Sequence, residues 1–242
     1  MQKKPIIIIS VLCVISLVLG YLSGMKDEER LSNGDAETNL KKEPEFLKEG
    51  LVAYYPFNGN AKDESGNGHD GKIDGPIWVK DRHGELMKAF SFDGSDDEIL
   101  VDHTSDLNAF PLSVSVWFNK SEKQYSMILA KMYDGERNGY LLHARRTGKV
   151  ELSYFGTLGW SHRELPPSTG DLADNEWHNI VFTVNKKEIV LYVDGQDVAI
   201  TPIIPHELSN SPTFYPLRIG SYNGKDMVGN YFLGQLDDIR IY

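Results

Sequence analysis

From Gly50 onward the chain shows no sustained 3.6-residue hydrophobic period; short apolar runs alternate with clusters of Gly, Asn, Asp and Pro. That pattern excludes a helical domain and predicts many short antiparallel strands. The clearest run is Leu112-Ser-Val-Ser-Val-Trp-Phe118, where Leu112, Val114, Val116 and Phe118 share one face and Ser113, Ser115 and Trp117 the other. The aliphatic face is expected to meet the core. Further strands are expected at Ile99–Asp102, Met127–Lys131, Tyr140–Arg145, Val150–Phe155, His178–Val184, Ile189–Val193, Gln196–Ile200, Leu217–Ser221 and Gln235–Tyr242. Asp194-Gly195, between Leu191-Tyr-Val and Gln196-Asp-Val, is the dipeptide of a type I′ hairpin turn. Asn185-Lys-Lys187 is a polar link between the preceding pair. Strands of this kind without intervening helices pack as two sheets, so the fold class is all-β, an antiparallel sandwich of jelly-roll type.

The N-terminus is of another character. Met1-Gln-Lys-Lys4 is basic, and an almost unbroken apolar run extends from Pro5 to about Leu22. Such a run is too long for a core strand and lacks the polar stripe of a soluble helix. It reads as one hydrophobic helix, either a cleaved signal peptide, with Val18 and Gly20 at the −3 and −1 sites, or a signal anchor. In both cases residues 1–25 export the rest of the chain, and uncleaved they tether it to a membrane with Lys3 and Lys4 inside. Residues 26–49 mix Lys, Glu, Asp, Asn, Gly and Ser and read as a flexible polar stalk. Residues 50–242 then form one domain.

Cys13, the single cysteine, lies inside the apolar run and comes after Leu12, so it reads as a membrane residue and not a lipidation site. The domain therefore has no disulfide, and its stability must come from its core or a bound ion. The formal net charge is −10, with no Lys/Arg cluster, which disfavours nucleic acid as a partner. No zincin motif, nucleophile elbow, phosphate loop or dinucleotide fingerprint is present.

The domain opens with Gly50-Leu-Val-Ala-Tyr-Tyr-Pro-Phe57, strand-like with a proline suited to an edge, and then a loop to Gly71 rich in Gly, Asn and Asp. Its side-chain oxygens and carbonyls are what calcium needs, with Asn58, Asn60 and Asp63 as ligands. The spacing is not that of an EF-hand, and the alternative is an Asx-turn loop with no ion.

This opening resembles the start of a LamG-like jelly-roll domain of the concanavalin A-like lectin/glucanase superfamily. Further matching segments occur in order: Phe90-Ser-Phe-Asp-Gly-Ser95 with Glu98-Ile-Leu-Val-Asp102, Pro111–Phe118, Glu176-Trp-His-Asn-Ile-Val-Phe-Thr183, Ile189-Val-Leu-Tyr-Val-Asp-Gly195 and Gly234-Gln-Leu-Asp-Asp-Ile-Arg-Ile-Tyr242. The resemblance spans Gly50 to Tyr242 and implies the jelly roll directly. It also implies that the first and last strands are neighbours, which would bring Asp237 or Asp238 to the calcium loop. The alternative pairs Asp238 with Arg240.

Relatives of this kind bind carbohydrate, adhere to proteins, hold calcium or hydrolyse glycosides, so the implied function is a non-catalytic binding module for glycan or a cell-surface protein. Trp160 in Gly156-Thr-Leu-Gly-Trp-Ser-His162, Tyr133 and Tyr222 are the candidate loop aromatics for a sugar face. Trp117, Trp177 and His178 fall inside strand motifs and are expected to be structural. The laminarinase-like signature Glu-x-Asp-x-x-Glu is not matched by Asp97-Glu-Ile-Leu-Val-Asp102, so Glu98 and Asp102 are expected to be structural and the domain not an enzyme. A structural adhesive domain without sugar binding is the alternative, and a glycosidase a distant third.

Overall fold

A computed structural model describes residues 43–109, 111–132, 139–155, 163–164, 170–185, 187–202, 214–222 and 230–242. Contacts divide the chain into Met1–Gly50 and Leu51–Tyr242. In the first unit the described residues carry a short 3-10 helix, Glu45–Lys48. The expected N-terminal hydrophobic helix lies outside the described residues.

The second unit is the expected two-sheet sandwich. Its strands are β1 (Ala53–Tyr55), β2 (Gly71–Asp74), β3 (Ile77–Val79), β4 (Ala89–Asp93), β5 (Glu98–Val101), β6 (Leu112–Asn119), β7 (Ser126–Ala130) and β8 (Gly139–Ala144). They continue with β9 (Val150–Phe155), β10 (Arg163–Glu164), β11 (Trp177–Val184), β12 (Glu188–Val193), β13 (Gln196–Pro202), β14 (Leu217–Ile219) and β15 (Leu233–Ile241). One sheet runs β13-β12-β11-β6-β15-β4-β3, with β1 also paired to β15. The other runs β10-β9-β8-β7-β14-β5-β2.

The alternating run places its side chains as the pattern requires. Leu112, Val114, Val116 and Phe118 are each at most 2% exposed, and they join Phe182, Ile180, Phe90, Tyr140 and Leu236 in one core between the sheets. Asp194 and Gly195 have φ of 47° and 83°, the left-handed pair of a type I′ turn. Asn185 closes the neighbouring hairpin: its N–H donates to the Glu188 carbonyl, and its Oδ1 accepts from the amides of Lys187 and Glu188.

Two departures from expectation have local causes. The opening strand is only Ala53–Tyr55, because Pro56 ends the ladder and Phe57 turns the chain at φ 51°. Strands β2 and β3 do not stand out in the sequence. Both are sheet edges, and their short segments are largely exposed, so neither carries a period-2 apolar signal.

His178 is structural, as expected, and its role is a clamp. Nδ1 lies 2.7 Å from Asp194 Oδ2 and Nε2 3.1 Å from Asp174 Oδ1, so the ring ties the β12–β13 turn to the segment entering β11. The hydrogen bond to Asp194 is the largest influence; against the cost of burial, the two carboxylates push the imidazole up from 6.5 to about 9. The folded state therefore holds this proton more tightly than the unfolded chain, and the clamp stabilises fully below pH 6.5 and is lost as pH rises through 9. A His178→Gln variant should be less stable than the parent at pH 6 in urea denaturation. The difference should shrink toward zero at about pH 10.

Candidate functional site: a polar rim at one end of the sandwich

Strand register gathers several loops at one end of the second sheet. Val101, which ends β5, pairs with Gly71 at the start of β2 and Leu217 at the start of β14. Ala130, which ends β7, faces Leu141 and Arg218. The opening loop, the stretch after Val101, the residues after Ala130 and those before Leu217 therefore meet at a common rim.

The opening loop is built around Asp63. Its Oδ1 accepts the amides of Tyr54 and Ser65, and its Oδ2 accepts the Ser65 hydroxyl and the His69 amide, all at 2.8–3.0 Å. Burial pushes this carboxyl up, but those four bonds outweigh it and hold it below the ordinary 3.8. Asn67 Nδ2 donates to the carbonyls of Val52 and Leu51, and Ser65 Oγ lies 3.0 Å from the Val52 carbonyl. The loop is thus sewn to the first strand by its own side chains.

From this clasp the network passes to the next loop. The Tyr55 hydroxyl donates to the His69 carbonyl at 2.7 Å, and His69, 7% exposed, places Nε2 3.1 Å from Asp106 Oδ2. Thr104 Oγ1 is 3.5 Å from His69 Nδ1. Beneath, the buried Tyr140 hydroxyl donates to the Leu107 carbonyl. Burial acts against ionisation of Asp106, but hydrogen bonds from Thr104 and His69 hold its carboxyl below the usual value.

Beside Thr104 stands His103. Its Nδ1 is 3.0 Å from Lys131 Nζ, which also donates to the Tyr215 carbonyl. Lys131 is fully buried, and burial lowers its ammonium to about 8. Burial, and then Lys131, also lower the His103 imidazole below 6.5. The His103 ring meets the edge of Phe214 at 5.9 Å between centroids, and Phe214 is 69% exposed. An exposed apolar ring therefore stands among fixed polar groups, the format in which sugars are bound.

Of the aromatics expected for this role, Trp160 and Tyr133 lie outside the described residues. Tyr222 is 5% exposed and packs with Met127, Ala130, Met132 and Leu141 on the second sheet. It is not the open loop-tip ring expected, because that methionine-rich cluster covers it. Phe214, His103 and Lys131 carry no sequence signal of their own: they converge from segments up to 111 residues apart, the separation of His103 and Phe214.

The five residues expected to hold calcium are not assembled into one ligand set. The first and last strands are neighbours, Ala53 facing Ile241, but protein donors occupy the oxygens. Lys88 Nζ donates to Asn58 Oδ1 at 2.6 Å, and the Lys62 amide to Asn60 Oδ1 at 2.7 Å. Arg82 bonds both Asp237 and Asp238, and Arg240 Nε donates to Asp238 Oδ1 at 2.8 Å. The Asp238–Arg240 pair named in the alternative reading is formed. Arg82 also lies over the Trp117 ring at 4.7 Å and Arg240 over Tyr54 at 3.9 Å. Burial raises the Asp237 carboxyl to about 7, more than Arg82 lowers it.

Three other carboxylates, Asp93, Asp96 and Asp97, bring oxygens within 4.8 Å of one another. There Asp97 Oδ2 accepts the Asp93 amide and Asp93 Oδ1 the Ser95 amide. Glu98 pairs with Arg218 and Ser221, and Asp102 with Lys72, so both have the structural partners expected.

A family model described as the concanavalin A-like lectin/glucanases superfamily matches residues 93–242, more than half of the chain. No curated protein matches. Domain 4 of a GH43 extracellular arabinanase from Geobacillus stearothermophilus, in complex with arabinotriose, is a similar solved structure. It has 17% identity and a TM-score of 0.61, over 79% of this chain and 91% of that one. The binding domain of botulinum neurotoxin serotype D has 18% identity and a TM-score of 0.60, over 81% of this chain and 48% of that one. The binding domain of botulinum neurotoxin DC in complex with SialylT has 11% identity and a TM-score of 0.60 over the same shares. The chain thus spans about half the length of the toxin domains, and at these identities the likeness is one of fold.

The saturated Asp63 carboxylate makes a direct prediction. Asp63→Ala removes an acceptor for three backbone amides and should cost about 3 kcal/mol or more, at 1.5–3 kcal/mol for a hydrogen bond to a charged group. Thermal melts of the parent with calcium and with EDTA should coincide; a chelator-dependent fall in Tm would show an ion in the clasp.

Proposed function

The chain belongs to the concanavalin A-like lectin/glucanases superfamily, and from that membership we propose that it is an exported, non-catalytic module that binds carbohydrate at its rim. The observation that carries this reading is the exposed Phe214 ring standing on His103, with Lys131, Thr104 and Asp106 fixed behind it. Sugars present apolar C–H faces flanked by hydroxyls, and such a ring with convergent polar groups suits both. The arabinotriose on the arabinanase domain and the SialylT on the toxin domain support glycans as the ligand class. Export rests on the basic start and the apolar run directly after it.

The absence of catalysis is part of the proposal. Asp237, whose acidity is shifted, and the adjacent Asp238 are both held by Arg82, and Asp238 by Arg240 as well. A glycosidase needs an acid and a nucleophile or base free to meet the glycosidic bond. Calcium is given no role at the clasp, where Asp63 is fully bonded by protein donors.

A second reading, docking of a cell-surface protein, draws on Ile77 and Trp78 of the edge strand β3 and on Leu86 and Met87, all 43–72% exposed. A similar solved structure, the binding domain of botulinum neurotoxin DC, is in complex with rat synaptotagmin II. The two readings separate on a glycan array and then titration calorimetry with the full-length chain. The carbohydrate reading expects a retained glycan class whose affinity falls at least about tenfold, 1.4 kcal/mol, in Phe214→Ala. Silence across the array, or binding indifferent to Phe214, would remove the rim as a sugar site.

A further inference from the structure

We infer that the rim takes uncharged sugars, bonding a ligand hydroxyl through the Asp106 carboxylate beside the Phe214 ring, and that it discriminates against sialylated and uronic glycans. The ligand class rests on the carbohydrate reading above. The placement starts from Lys131, whose buried ammonium donates to the Tyr215 carbonyl and lies 3.0 Å from His103 Nδ1. Phe214, next to Tyr215 in the chain, stands with its ring against His103. Asp106 is near enough to act electrostatically on both His103 and Lys131. An apolar ring and a carboxylate are thus gathered around one buried cation. Phe214 and the Asp106 side chain, which is 50% exposed, reach solvent, and the ammonium does not.

The Asp106 carboxylate is oriented by the protein and has room for a donor from outside. Its two oxygens offer about four acceptor positions. His69 Nε2 faces Oδ2, the Leu107 amide donates to Oδ1, and the Thr104 hydroxyl supplies a third bond. The remaining position belongs to a half-exposed group and is open to solvent. Burial acts against ionisation here, but Thr104 and His69 outweigh it, so the group stands as a fixed negative charge that only accepts. A sugar hydroxyl can donate to it, and a hydrogen bond to an ionised acceptor is of the stronger kind. The adjoining C–H face of the same sugar then rests on Phe214.

A ligand carboxylate fits neither demand: it has no proton to donate, and it would stand beside a like charge. The cations that could offset this are buried or engaged. Lys131 lies beneath the surface, and Lys72 bonds both oxygens of Asp102. Lys62, the exposed lysine of the opening loop, is outnumbered there by Asp63, Glu64 and Asp70. Among the described residues, the charge that a sugar meets beside Phe214 is therefore negative.

The test is a glycan array followed by titration calorimetry of the full-length chain in detergent micelles, with neutral sugars matched to acidic forms of the same core, such as lactose with sialyllactose and xylotriose with its glucuronate-substituted form. The neutral member of a retained pair should bind at least about tenfold more tightly than its acidic partner. Asp106→Asn keeps the side-chain shape and removes its charge; it should weaken the neutral sugar and shrink the gap to under about threefold. Equal or tighter binding of the acidic member overturns the inference, as does a gap unchanged in Asp106→Asn. If that binding is still lost in Phe214→Ala, the carbohydrate reading stands without this selectivity. Silence across the whole array removes both. Should Asp106→Asn not fold, the preference of the parent alone decides.

Discussion

One carboxylate sets the geometry of the rim at one end of the second sheet. Asp63 receives four hydrogen bonds, one from the first strand and three from its own loop. Without it the amides of Tyr54, Ser65 and His69 would lose their charged acceptor, and the loop would keep only its remaining ties, such as those of Asn67 to the Val52 and Leu51 carbonyls. With it, His69 is held where its ring bonds Asp106, and Asp106 lies in the loop that carries His103. The rim is assembled from segments far apart in sequence, and this clasp is the first link of the chain that joins them.

Much of the fold could be read from local pattern because the responsible forces are local. Strict alternation in Leu112–Phe118 dictates one buried face, and Asp194-Gly195 dictates its turn through two left-handed residues. The clasp shows where such reading stops. A loop rich in Asn, Asp and Gly has the same composition whether its oxygens face an ion or backbone amides. The choice depends on the Tyr54 amide, nine residues back, and on Lys88 reaching Asn58 from another loop. The Asp237–Asp238 pair was visible as two adjacent acids, but Arg82, some 155 residues away, decides what they do. Phe214, His103 and Lys131 were not visible at all, since none belongs to a motif and only the strand register brings them together.

The two sheets also divide the labour. On the outer face of the first, Arg82 lies over Trp117 and binds both carboxylates of β15, while Arg240 lies over Tyr54. These cations keep buried acids paired where an unpaired charge would be costly. The face is therefore committed to holding the β3–β4 connection in place. On the second sheet, Met127, Leu141 and Tyr222 are covered. At the rim, by contrast, polar groups are fixed by buried partners and a large apolar ring stays in solvent.

The dependence of the rim on the clasp is measured most directly by amide hydrogen exchange of the full-length chain, comparing the parent with Asp63→Asn. The account predicts faster exchange at Tyr54, Ser65 and His69 and also across residues 102–108, while the amides of β6 and β11 remain protected. Faster exchange confined to the opening loop, with residues 102–108 as protected as in the parent, would contradict it.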